Sequence, residues 1–463
     1  MDRLRIGDER RSVLDFLARQ MERIWSNFDQ PREKEPEITA ELKSLLATDL
    51  PENPSEITDV LGSSVEILEA SIAQSRPRFL AYIGSSGLEV GAIADFLASS
   101  YDINQAVDSR AATMLERQAA EWVGEFIGYS DAVGFFTSGG MVSNLTALAT
   151  ARSLALPDSR KSGINREVAI YASSEAHYSI LRAVEVLGIG TDAVRSIPID
   201  DHHRMRVEIL RERIEEDLAR GVTPIAIVAT CGTTLTGAVD PLDEIAKVAK
   251  EKRIWLHVDG AYGAPAAGTS KAPLFTGLDR ADSVTIDAHK WLFVPKACSL
   301  VLMKSHEGLA NTFSHHEAYM PHIFGDYNPV DLTLEYSRPL RALKLWIAFK
   351  THGADAFRQA IDKNIELAQL TYQIASQRDD FKTLPHAPDL SIVPIQYLSS
   401  TKGDASALNA LLCERIIEDG RFYISTAQIN GETWLRPCYT NFRTTESDVQ
   451  ALFDVIEELA SSL

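Results

Sequence analysis

Between Val13 and Trp25 the apolar residues Val13, Leu14, Leu17, Met21, Ile24 and Trp25 return at helical spacing through an otherwise charged segment. This spacing predicts a helix with a single apolar stripe. The stretch holding Pro31, Glu33, Glu35 and Pro36 reads as a linker, and Ile38 to Leu46 as another short helix. Two short amphipathic helices rarely form a core by themselves, so this arm is expected to bury its stripes against the body or, by preference, a second subunit.

From about Tyr101 to Met303 the pattern changes to short β-branched runs separated by helical stretches. Ala169 to Ala172, Ile225 to Ala229, Ile254 to Val258, Ser283 to Ile286 and Ser299 to Leu302 are strand candidates, and Tyr178 to Leu187, Met205 to Ala219 and Leu242 to Lys250 read as helices. Such alternation predicts an α/β fold with a mostly parallel sheet covered on both faces, in which ligands bind at the carboxyl ends of the strands. His177, Thr233, Thr234, Asp259 and Lys290 all fall just after strand candidates, so one pocket is expected to gather them. From about Leu340 a helix (Leu343 to Phe349), strand-like stretches (Leu390 to Gln396, Thr433 to Arg436) and a last amphipathic helix (Val449 to Leu459) suggest a small α+β domain. The division expected is an N-terminal helical arm over 1–85, a large domain over 86–342 and a small C-terminal domain over 343–463.

At 463 residues the chain is long enough for two or three such units. Its formal net charge of -19 argues against nucleic acid or an anionic membrane surface as partner, since both require clustered Lys and Arg. The four cysteines, Cys231, Cys298, Cys413 and Cys438, are far apart, which suggests neither a zinc site nor a disulfide framework. The first residues are charged where a signal peptide would be apolar, and no run reaches the length of a membrane span. A reducing cytoplasm is the expected compartment.

Lys290, in Asp-Ala-His-Lys-Trp, follows one strand candidate, and Asp259, in Leu-His-Val-Asp-Gly-Ala-Tyr, follows another. A strand-end amine can condense with the aldehyde of pyridoxal 5'-phosphate, and a nearby carboxylate can keep the pyridine nitrogen protonated so that the ring accepts electrons. Alone, Lys290 would be a surface lysine and Asp259 a turn aspartate favoured by Gly260; together they point to that cofactor. Phe-Phe-Thr-Ser-Gly-Gly-Met-Val-Ser-Asn places Gly139 and Gly140 before a helix, where the backbone amides of Gly139, Gly140 and Met141 could cradle a phosphate, with Ser138 or Ser143 as hydroxyl donors. His177 is a flat polar ring suited to stack on a pyridine and touch a substrate carboxylate, and Ala261 would floor the other face. Thr234 and His289 join this cofactor-binding group by position.

These segments, with Thr-Cys-Gly-Thr-Thr at 230–234 and Arg-Ala-Leu-Lys-Leu-Trp at 341–346, resemble the group II pyridoxal-phosphate-dependent decarboxylases, and most of all the aromatic-L-amino-acid decarboxylases. The resemblance implies a fold-type I enzyme with a seven-stranded sheet, an obligate homodimer with active sites near the interface, and decarboxylation of an L-amino acid to its amine through an external aldimine and a quinonoid. It also implies a catalytic tyrosine on a loop before the 341–346 motif; Tyr327 matches it, with Tyr319 as rival. Two departures stand out. Met141 replaces a common Ser or Thr, and Arg76-Pro77-Arg78-Phe79 replaces a common His-Pro start. The alternatives are an acidic amino acid such as glutamate, for which Arg76 or Arg78 could supply a cation, an aromatic aldehyde synthase, and more remotely an aminotransferase.

Overall fold

Seven short runs form one sheet in the order β1-β7-β6-β5-β4-β2-β3. They are β1 (Val133–Thr137), β2 (Val168–Ser173), β3 (Val194–Ile197), β4 (Thr223–Thr230), β5 (Trp255–Asp259), β6 (Ser283–Ile286) and β7 (Ser299–Met303). The computed structural model describes residues 4–34, 36–305, 307–315, 329–399 and 404–463. Strands β3, β2, β4, β5 and β6 pair in parallel, and β7 runs antiparallel to both β6 and β1. Every residue of β2, β6 and β7 is buried; β2 and β7 accordingly read as mostly apolar runs, whereas β6 alternates as Ser283, Val284, Thr285 and Ile286.

Helices Ser179–Val186, Val207–Ala219 and Leu242–Lys252 connect successive parallel strands, and Gly140–Ala155 leads from β1 towards β2. The carboxyl ends of β1, β2, β4, β5 and β6 consequently open on a single edge of the sheet, where the strand-end residues meet. The mostly parallel seven-stranded sheet agrees with the α/β expectation. Strands β1 and β3 were not among the strand candidates. β3 is a four-residue edge strand with only one buried position, and the Gly-Phe-Phe-Thr of β1 was taken only as the approach to a helix.

Four further strands, β8 (Phe381–Thr383), β9 (Ile395–Tyr397), β10 (Ser425–Ile429) and β11 (Glu432–Arg436), make a second, antiparallel sheet in the order β10-β11-β9-β8. Helices Ala405–Asp419 and Glu446–Ala460 accompany it, the latter started by a capping box of Thr445 and Asp448. The strand expected over Leu390 to Gln396 is split at Pro394, which has no N–H to give to a ladder: Ile392 bridges Cys438 alone, and continuous pairing starts at Ile395.

The expected helix Leu343 to Phe349 is the start of a longer one, Ala342–Ser376, interrupted at Gly353, whose φ of 73° only glycine adopts cheaply. Before the break and just after it, Leu345, Phe349, Phe357 and Ile361 pack into the core of the seven-stranded sheet; further on, Leu367, Ala368 and Ala375 pack into that of the four-stranded one.

The arm contains helices Arg10–Phe28, Ala40–Leu45 and Ile57–Glu69, each burying one residue in this chain: Val13, Leu42 and Val65. Leu4, Leu14, Ile38, Leu46, Leu50, Val60, Leu68 and Ile72 are exposed, as are Ile93, Phe96, Leu97 and Tyr101 on the helix Glu89–Tyr101. No described helix is long and apolar enough to cross a membrane.

Candidate active site

Strand β5 delivers Asp259 to the open edge, 5% exposed, with Oδ1 accepting the Ala261 N–H at 3.2 Å and Oδ2 accepting Asn144 Nδ2 at 2.9 Å. The neighbouring β6 ends before Asp287, whose N–H is held by the Ala261 carbonyl at 3.0 Å, and a single helical turn, Ala288–Trp291, then carries Lys290. Trp291 anchors that turn. It is fully buried, donates from Nε1 to Asn364 Oδ1 at 3.0 Å and stacks on Tyr262 at 4.9 Å. The residue after the lysine therefore fixes the base from which the amine extends.

Lys290 Nζ meets Asp287 Oδ2 at 2.8 Å. Burial alone would lower the ammonium's pKa, but the Asp287 charge and hydrogen bond, helped by Asp259, outweigh burial and raise it. Burial would likewise raise the Asp287 carboxyl, yet Lys290 and His289 hold it below its ordinary range. His177 follows β2, its Nδ1 accepting the Ser179 N–H at 3.3 Å and its ring lying 4.3 Å from Tyr178. Burial, with Lys290 nearby, lowers its pKa against the pull of Asp259 and Asp287. At neutral pH the imidazole is uncharged, with its proton on Nε2.

Helix Gly140–Ala155 begins where Asp287 passes it so closely that a Cβ on Gly140 would lie 2.8 Å from Asp287 Oδ2. Ser143 turns inward, tied to Thr137 at 2.7 Å and Ser299 at 2.9 Å, while Met141 faces the open space. That space is a cavity of about 680 Å³. Gly140, Met141, His177, Thr234, Asp259, Ala261 and Lys290 line it together, as the strand-end pattern implied. Gly139 caps the helix at its border. His289 is turned from it, with Nδ1 2.8 Å from the Cys298 carbonyl, and Thr233 is buried against Thr236. Tyr327 and Tyr319 lie outside the described residues.

Sequence reasoning missed several lining residues. Asp287 belongs to the lysine motif itself, three positions ahead, and Asn144 stands one turn into the helix after the paired glycines. Arg436 arrives from β11 of the other sheet. Its Nε donates to the Thr234 carbonyl at 2.7 Å and its Nη1 to the Tyr82 carbonyl at 2.8 Å. Nη2 is buried without an acceptor among the described residues. Arg76 and Arg78, expected as possible pocket cations, do not line the cavity. Arg76 donates to the Asn27 carbonyl at 2.9 Å, and Arg78 pairs with Asp448 at 2.9 Å.

Residues 39–397 match the family model described as the pyridoxal-dependent decarboxylase conserved domain. The chain belongs to this family. It is 34% identical over 436 residues to an aromatic-L-amino-acid decarboxylase of Bacillus atrophaeus, covering 91% of this chain and 89% of that one. It is also 31% identical over 408 residues to an aspartate 1-decarboxylase of Aliivibrio fischeri, covering 81% and 74%. Among solved structures, mouse CSAD superimposes with a TM-score of 0.89 at 25% identity, over 98% of this chain and 99% of that one.

The protein is a pyridoxal-phosphate-dependent amino-acid decarboxylase of fold type I. The decarboxylase site fits its cofactor on this chain's own geometry: a helix start whose glycine leaves room beside Asp287, an amine and a carboxylate in one cavity, and a volume within the range of small-molecule sites.

Proposed function

We propose that this decarboxylase acts on an L-amino acid with an aromatic side chain and releases the corresponding amine. The observation that carries this reading is the apolar lining that Ile83, Leu235, Ile417 and Ile424 contribute to the cavity that holds Lys290. A flat apolar side chain gains most from such a surface.

When bound, pyridoxal phosphate supplies an aldehyde to the lysine and an electron-accepting ring to the substrate's α-carbon. Lys290 would hold that aldehyde, for which its ammonium must first lose a proton, and would then yield it to the substrate amine. Asp259 would keep a proton at the pyridine nitrogen. The amides of Gly140 and Met141 would bind the phosphate, with Gly139 and Thr234 beside them and Ala261 under the ring. His177, neutral and flat, would stack over the ring and orient the carboxylate that is lost. His289 would act from behind, through Asp287. Tyr327 would return a proton to the carbon left bare.

The exposed apolar residues of the arm and of helix Glu89–Tyr101 support a homodimer in which a second copy covers them. All four cysteines are buried and unpaired, which supports a reducing, cytoplasmic setting.

A second reading has one observation in its favour. The unsatisfied Nη2 of Arg436 could receive a side-chain carboxylate, as from glutamate or aspartate. A decarboxylation panel separates the two. Tryptophan, tyrosine, phenylalanine and dihydroxyphenylalanine are expected to exceed glutamate and aspartate in kcat/KM by at least about tenfold, the worth of a well-filled apolar pocket. Faster turnover of an acidic substrate, lost in Arg436→Gln, overturns the aromatic reading. Peroxide released in step with carbon dioxide would instead mark an aldehyde synthase.

A further inference from the structure

Trp255, His257 and Asp259 alternate along β5 and so share one face of the sheet, and His257 stands in register with Ser283 of β6. These four side chains and Asn144 form a file leading away from the cavity. Asn144 gives one Nδ2 hydrogen to Asp259 Oδ2 at 2.9 Å and the other to Ser179 Oγ at 2.9 Å. Its Oδ1 lies 2.9 Å from His257 Nε2 and can only accept, so Nε2 carries the imidazole proton. His257 Nδ1 then accepts from the Ser283 hydroxyl at 2.9 Å, and Ser283 Oγ accepts from Trp255 Nε1 at 2.9 Å.

The file starts on an indole that can only donate and ends on a carboxylate that can only accept, so each bond has one possible sense. Asn144, Ser179, His257 and Ser283 are each at most 1% exposed. Water cannot substitute for a lost partner there, and a freed amide would turn. Burial also keeps His257 uncharged, with a pKa lowered to about 4. Asn144 has a second output, because Ser179, which it holds through Oγ, donates its own N–H to His177 Nδ1 at 3.3 Å.

We propose that Asn144 and His257 are positioning residues of the decarboxylase, aiming the Asp259 carboxylate at the pyridine nitrogen while, through Ser179, fixing the ring of His177. The inference rests on the reading that Asp259 serves that nitrogen. Neither residue need touch the substrate. An apolar pair would fill the same space without any hydrogen bond to satisfy, but it would leave the carboxylate free to rotate.

The test compares His257→Phe, His257→Gln, Ser283→Ala and Asp259→Asn as holoenzymes, reading kcat and KM separately, the visible cofactor band between pH 6 and 9, and the rate of cofactor release. His257→Phe is expected to lower kcat by about ten- to a hundredfold with KM within about twofold, to alter the band and to speed release. His257→Gln, which can still donate to Asn144, recovers most of the loss. Ser283→Ala, a small change that spares folding, lowers kcat by about threefold, since it removes only the hydroxyl that steadies His257 at Nδ1. Native kcat and band in a folded His257→Phe, or equal losses in His257→Phe and His257→Gln, overturn the inference. If His257→Phe does not fold, native behaviour of Ser283→Ala overturns it. Native kcat and band in Asp259→Asn overturn the reading of Asp259 itself, whereas an inactive Asp259→Asn beside native-like His257→Phe and Ser283→Ala defeats only the positioning role.

Discussion

Lys290 and Asp287 are three residues apart on one turn, and their ion pair works against burial on the amine proposed to capture the cofactor. The pair opposes chemistry, since only the neutral amine is a nucleophile and Asp287 favours the ammonium. In Asp287→Asn the Lys290 pKa is expected to fall, because burial then acts with one acid fewer against it. The capture of pyridoxal phosphate by stripped enzyme, followed against pH, should reach its plateau at lower pH in Asp287→Asn than in the native protein; superimposable profiles would show that Asp287 does not control the amine. Lys290→Ala should show no turnover at all.

Lys290, Asp259, His177 and Gly140 could be read from the chain because each stands at a strand end inside a compact motif. Asn144 and His257 could not, being 113 residues apart in sequence and meeting only where a helix lies across β5. Arg436 was hidden for the same reason, since its contacts at Thr234 and Tyr82 cross from one sheet to the other.

Among the elements, the loop after β4 carries Thr234 into the cavity and turns at Gly232, where φ is +93° and a Cβ would lie 2.6 Å from the Tyr262 ring. Tyr262 cannot withdraw, because it is stacked on Trp291 and hydrogen-bonded to Ser391. Gly232→Ala combines backbone strain with overpacking and should cost roughly 2–4 kcal/mol. A urea titration showing less than about 0.5 kcal/mol lost would mean that the loop yields easily. Strands β2, β4, β5, β6 and β7 are visible in the sequence because each is a largely buried run rich in apolar and β-branched residues. The run from Ala342 to Ser376 was legible only as far as Phe349, since Gly353 and the polar residues around it conceal a continuation whose last part, from Leu367, serves another core.

For the molecule as a whole, buried histidines and one buried acid act on stability in opposite senses. His257 stays neutral to about pH 4 when folded but takes up a proton near its ordinary 6.5 when unfolded, so its contribution declines as pH falls through that window. The full loss is on the order of 3 kcal/mol. The pKa values of His177 and His289 are also lowered by burial and contribute with the same sign. Asp240, whose carboxylate accepts from the Met205 and Thr230 amides, is raised by burial to about 6, so the folded state binds its proton first as pH falls from 6 towards 4. Asp240 therefore offsets the histidines below pH 6. Urea midpoints at pH 7, 6 and 5 should decline less steeply below pH 6 in the native protein than in Asp240→Asn. Parallel declines would remove Asp240 from this balance.

The groups that would grip the cofactor come from the ends of the larger sheet, whereas Ile417, Ile424 and Arg436 approach from the smaller one. Part of the proposed substrate lining, Ile417 and Ile424, is thus encoded far along the gene from Lys290 and Asp259. On the proposed reading, inherited changes at those two codons would alter substrate preference and leave the lysine and its acid untouched.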